Sequence, residues 1–140
     1  MRWQQKSALH STVSAVTTAT LAVALYAGAA QAESFSRGNV ENGDKLFKAR
    51  CTQCHTANKG GPNKQGPNLY GIFERKSGSV PGYAYTDAMK NADIIWSQQT
   101  LFGYLENPKK YVPKSKMAFP GFKSAEERND VIAYLEAVAK

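Results

Sequence analysis

Apolar residues recur at helical spacing in three stretches of this chain, with long irregular intervals between them. Val40, Leu46 and Phe47 fall near a 3.6-residue period between Val40 and Arg50, with Gly43 on a neighbouring face. Leu101, Phe102, Tyr104 and Leu105 form a second stripe. Ser97 stands before it as a cap, and the helix is expected to stop before Pro108. The third stripe is the clearest: Val131, Ile132, Tyr134, Leu135 and Val138. In front of it, Ser124-Ala125-Glu126-Glu127 matches a capping box, with Ser124 as N-cap and Glu127 at the third helical position. A short helical turn is expected over residues 86–91. No run sustains the alternation of a strand, so the predicted class is mostly α.

The interval 56–85 is long for a small domain and rich in Gly, Pro, Asn and Lys. Such a loop is either functional or organised by something other than its own secondary structure. Disorder is disfavoured by Leu69, Tyr70, Ile72, Phe73, Tyr83 and Tyr85, since disordered segments are poor in such residues.

Residues 1–32 differ from the rest. They hold no acidic residue, two basic ones (Arg2 and Lys6) and seven Ser or Thr. An apolar run from Leu21 to Ala30 then ends in Ala30-Gln31-Ala32, before Glu33. That ending suits a signal-peptidase site, and the acid-free, hydroxyl-rich start suits a mitochondrial presequence. The run is short for a membrane span, which needs about 20 apolar residues. Residues 1–32 are therefore expected to be a targeting segment that is removed, leaving 33–140 as one domain. Without Arg2 and Lys6 that domain carries 16 basic against 11 acidic side chains. A basic balance suits nucleic acid, an anionic membrane or an acidic protein. No nucleic-acid motif accompanies it.

The chemistry is concentrated at Cys51-Thr52-Gln53-Cys54-His55. This is the C-x-x-C-H spacing of c-type haem attachment: each cysteine forms a thioether to the porphyrin, and the histidine ligates the iron. A structural zinc site needs four Cys or His ligands. The chain has two cysteines and two histidines, and His10 lies in the targeting segment, so that reading is one ligand short. A thioredoxin-like dithiol calls for a preceding strand, and here the motif follows a helical stretch. A haem would also give the long loops something to pack on.

With His55 used and no second histidine in 33–140, the soft candidates for the sixth iron ligand are Met89 and Met117, with lysine weaker. Met117 closes the Pro-containing segment Tyr111-Val112-Pro113-Lys114-Ser115-Lys116-Met117, well separated from His55. Met89 sits in the short helical turn and reads more simply as a core gap-filler. A Met/His pair fills both axial positions and raises the reduction potential, which favours electron transfer over catalysis.

Residues from about 38 to 140 resemble class I cytochrome c, particularly the mitochondrial type and its nearest bacterial relatives. The match is carried by Cys51–His55, Gln65-Gly66-Pro67-Asn68-Leu69-Tyr70-Gly71, Leu105-Glu106-Asn107-Pro108-Lys109-Lys110-Tyr111, and Glu127-Arg128 with Asp130 and Ile132-Ala133-Tyr134-Leu135. The resemblance implies the cytochrome c fold, helices and long loops wrapped around one covalent haem. It implies that Gly43 and Phe47 cross the last helix near Val131 and Tyr134. It further implies that the Pro67 carbonyl orients His55, that Tyr104 bonds the Met117 sulfur, and that Arg75, Tyr85, Thr86 and Trp96 lie near the haem propionates. Four positions depart from the family: Met89 for asparagine, Lys114 and Glu74 for glycine, and Asn63 for a histidine that joins two loops.

By the same resemblance the protein is a monomeric one-electron carrier and not an enzyme, with at most a weak peroxidase side activity. Its implied partners are a cytochrome bc-type complex as donor and a cytochrome c oxidase as acceptor. Arg50, Lys64, Lys109, Lys110, Lys116 and Lys123 would ring the exposed haem edge and steer it to acidic docking surfaces, with weak attraction to anionic membranes. The implied location is the mitochondrial intermembrane space, or a bacterial periplasm if the Ala30-Gln31-Ala32 ending directs export. A peroxidase or gas sensor would need an open axial position, and a signalling role would rest on partner binding alone.

Overall fold

The computed structural model describes residues 35–140. The targeting segment and His10 lie outside the described residues. Helix α1 spans Val40–Arg50, as its periodicity predicts, and Asn39 caps it by accepting the Asn42 amide. Four further helices follow: α2 (Asp87–Lys90), α3 (Gln98–Glu106), α4 (Pro108–Tyr111) and α5 (Ala125–Val138). Among the described residues, extended pairing is confined to one isolated antiparallel bridge between Lys76 and Ile95.

The scaffold is the crossing of α1 over α5, with α3 also packed on α5. Gly43 makes the crossing close: a Cβ there would fall within van der Waals overlap of the Asp130 carbonyl and the Tyr134 Cβ. One turn on, the Phe47 and Tyr134 rings lie 5.2 Å apart. The entry to α1 is tied to α5 by the Asp130 carboxylate, which accepts the Asn39 amide at 2.6 Å and the Asn42 side-chain amide at 2.5 Å. Val131, Ile132 and Leu135 are buried as predicted, whereas Val138 is 38% exposed. Val138 is the last helical residue, with no following turn to help cover it.

Capping differs in detail from the expectation. Ser124 accepts the Glu127 amide at 3.4 Å, one half of the predicted box. The reciprocal box forms at α3, where Ser97 accepts the Thr100 amide and the Thr100 hydroxyl accepts the Ser97 amide. The predicted turn over 86–91 is α2, with Thr86 as its N-cap. Helix α4 is an addition. Pro108 ends α3 as expected but also opens a new turn at its N1 position, where a missing amide hydrogen costs nothing, and Asn107 caps it.

The long loop is ordered by polar cross-ties. Asn68 donates to the Asn58 and Gly61 carbonyls, at 3.0 and 2.5 Å. Asn63 accepts the Asn68 amide at 2.9 Å and donates to Pro81 O at 3.3 Å, so it joins two loops itself. Backbone bonds between residues 74–77 and 94–96 hold the returning strand of loop. The apolar core gathers Phe47, Ile72, Trp96, Leu101, Phe102 and Leu105 with the α5 face, and Met89 and Met117 pack partly buried against it.

Candidate functional site

The cysteine motif is a helical continuation of α1. The amide of Cys51 bonds Phe47 O, and the amides of Cys54 and His55 both bond Cys51 O, at 3.0 and 2.8 Å. This coiling puts Cys51 and Cys54 one turn apart on one side, with His55 beside them. Neither cysteine is in a disulfide. Burial pushes the Cys51 thiol up to about 12, with the neighbouring Cys54 adding to the shift. Among the described residues, no three His, Cys, Asp or Glu side chains gather as a metal cluster would need.

His55 is held by its far nitrogen. Nδ1 lies 2.8 Å from the Pro67 carbonyl, which can only accept, so Nδ1 carries the hydrogen and Nε2 keeps its lone pair. Burial lowers the His55 pKa, against the opposing effect of that carbonyl, and favours the neutral ring. Gly66 lies flat against the imidazole, where a Cβ would overlap the ring.

Tyr104 donates its hydroxyl to Met117 Sδ at 3.1 Å. The phenol is buried between Trp96 and Tyr111, with ring centroids 4.9 and 5.8 Å away, and its pKa is raised by that burial. Met117 thus has an oriented sulfur. For Met89 the contacts are apolar packing against the core, in keeping with its reading as a gap-filler.

Arg75 donates to the carbonyls of Tyr70 at 2.8 Å and Asn68 at 3.1 Å. Half-burial lowers its pKa, and the Tyr85 phenol, itself raised by burial, is close enough to feel its charge. Thr86 caps α2, its hydroxyl oxygen accepting the Met89 amide at 3.3 Å, which leaves the O–H able to donate. Trp96 is buried. The buried hydroxyl of Ser115 has no hydrogen-bond partner, and no motif singled it out.

All six predicted docking residues are exposed. Four of them also tie loops through their ammonium groups. Lys64 donates to Thr52 O at 2.7 Å, Lys109 to Ser115 O at 2.5 Å and Lys123 to Glu106 O at 3.2 Å. Lys116 donates to Ala84 O, and its ammonium sits 4.3 Å over the Tyr83 ring. Sequence reasoning also missed Gln65, whose side chain accepts from the Cys54 thiol at 3.4 Å and whose carbonyl accepts from Tyr83 at 2.5 Å. Gln65 and Gly66 both lie in the family-like stretch before Pro67, which was the available signal.

The comparisons place this geometry in a family. The model of the family described as cytochrome c matches residues 40–139. The cytochrome c of Dictyostelium discoideum is 68% identical over 108 residues, covering 75% of this chain and 96% of that one. That of Gibberella zeae is 58% identical over 103 residues, covering 74% and 97%. That of Arabidopsis thaliana is 56% identical over 104 residues, covering 74% and 93%. This chain belongs to the cytochrome c family. It is a mitochondrial-type class I member with the cytochrome c fold, a haem-containing electron carrier and not an enzyme, and its haem c is bound covalently.

The side chains fit such a group. An imidazole with Nε2 free, an oriented thioether sulfur and two thiols outside any disulfide are the groups that a haem iron and its vinyl groups call for. The orphaned Ser115 hydroxyl suits a buried carboxylate, which is costly to bury without donors.

Proposed function

We propose that Cys51 and Cys54 hold the haem by thioethers, and that His55 Nε2 and Met117 Sδ are the axial iron ligands of a respiratory electron carrier. The haem supplies one-electron Fe(III)/Fe(II) chemistry. The residues around it keep both ligands in place through the change of charge. The Pro67 carbonyl fixes the tautomer and ring angle of His55 and raises its basicity. The Tyr104 hydroxyl withdraws density from the Met117 sulfur and favours Fe(II). Arg75, Tyr85, Thr86, Trp96 and the unpartnered Ser115 would serve the haem propionates. The observation that carries the reading is the pair of orienting hydrogen bonds, one on each ligand, from elements far apart in sequence.

The carrier takes electrons from a cytochrome bc-type complex and gives them to a cytochrome c oxidase in the mitochondrial intermembrane space, with residues 1–32 as the address. Arg50, Lys64, Lys109, Lys110, Lys116 and Lys123 supply a basic face for acidic docking sites and anionic membrane. Such encounters are fast, salt-sensitive and small in area. Charge reversal at both Arg50 and Lys110, for which no loop tie accounts, is expected to slow reduction by the bc complex about tenfold at low salt, an effect that salt removes. Stopped-flow rates across ionic strength are the test. Rates indifferent to both salt and charge reversal would refute this docking face.

A further inference from the structure

Val112-Pro113-Lys114-Ser115 is a turn closed by the Ser115 amide on Val112 O at 3.2 Å. Proline at its second position and a φ of 66° at its third, Lys114, match a type II turn, which calls for Gly or Asn at that third place. Lysine has a Cβ that this left-handed conformation crowds, and such strain persists only where the surroundings over-determine it. They do so here. Lys109 holds Ser115 O, Lys116 holds Ala84 O and the face of Tyr83, and Tyr104 holds the Met117 sulfur. The strained residue lies three positions before Met117, inside the segment that delivers it. Lys114 itself is exposed.

We propose that Lys114 is a positioning residue that spring-loads the Met117 segment, so that this protein admits a small nitrogen base at the iron more readily than it would with glycine there. The proposal rests on Met117 being the sixth ligand. When the segment opens, Lys114 relaxes to negative φ, and the energy stored in the closed turn is recovered. The closed form is thereby disfavoured, and a small neutral base captures the opened one. The cause is the backbone and not the charge, since the exposed ammonium of Lys114 makes none of the ties that hold the turn.

The test is titration of the ferric holoprotein with imidazole, followed by loss of the weak far-red band of the methionine–iron bond. Lys114→Gly and Lys114→Asn both suit positive φ and are expected to bind imidazole about fivefold more weakly than the parent. Lys114→Ala removes the charge but keeps the strained Cβ, and is expected to bind within twofold of the parent. Glu74→Gly relieves a φ of 62° outside the Met117 segment and is expected to leave imidazole affinity unchanged while raising resistance to urea. Equal affinities for the parent, Gly and Asn proteins would overturn the proposal, as would an Ala variant weakened as much as Gly. A Glu74→Gly protein weakened to the same degree would overturn it too. A parent protein with no far-red band would instead overturn the Met117 assignment on which it rests.

Discussion

A single hydrogen bond orients each candidate ligand, at the far ring nitrogen of His55 and at the sulfur itself of Met117. His55 donates to a carbonyl, which selects a tautomer; Met117 accepts from a hydroxyl, which tunes a sulfur. The two differ in how they would fail. Tyr104→Phe keeps the buried ring but removes the donor, leaving the sulfur more electron-rich. A lower reduction potential is the expected outcome, with the fold retained, and redox titration of parent and variant checks it. An unchanged potential would mean the hydroxyl does not act on the ligand. The candidate iron ligands could be narrowed from the sequence because chemistry restricts them to few residue types: one C-x-x-C-H and two candidate methionines. Ser115 was illegible, because a serine in a loop carries no signal until its hydroxyl is seen buried and unpartnered.

Helices were legible to the extent that one face meets a partner. The α1 span follows from its apolar spacing and cap, and α5 from its stripe and Ser124. Helix α4 escaped because Pro108 serves two roles, ending one helix and starting the next, and only the first was read. Gly43 is the residue on which the α1–α5 crossing depends, since the obstacle to any Cβ is backbone that cannot turn aside. Gly43→Ala is expected to cost about 3 kcal/mol of stability, the upper range for overpacking. Urea denaturation of the two holoproteins measures it. A loss below about 0.5 kcal/mol, typical of surface changes, would show that the helices can part without penalty.

At the scale of the whole domain, residues 35–140 combine a small helical scaffold with long loops. The sequence shows the loops as long and aromatic but not their course. Their order comes from cross-ties such as Asn68 to Gly61 O and Asn63 to Pro81 O, which join residues without a periodic relation. The basic residues were likewise legible as charges but not as ties. Lys64, Lys109, Lys116 and Lys123 each hold a carbonyl as well as facing solvent. A charge at those positions is therefore coupled to loop position, and only Arg50 and Lys110 offer a clean electrostatic test. The proposal that unites scaffold, loops and charges is a six-coordinate iron held by His55 and Met117. The most direct measurement is the visible spectrum of the oxidised and reduced holoprotein beside Met117→Ala. Low-spin reduced bands, haem that resists acid extraction and a far-red ferric band that vanishes in the variant are the predicted result. High-spin bands in the parent, or a far-red band that survives Met117→Ala, would contradict it.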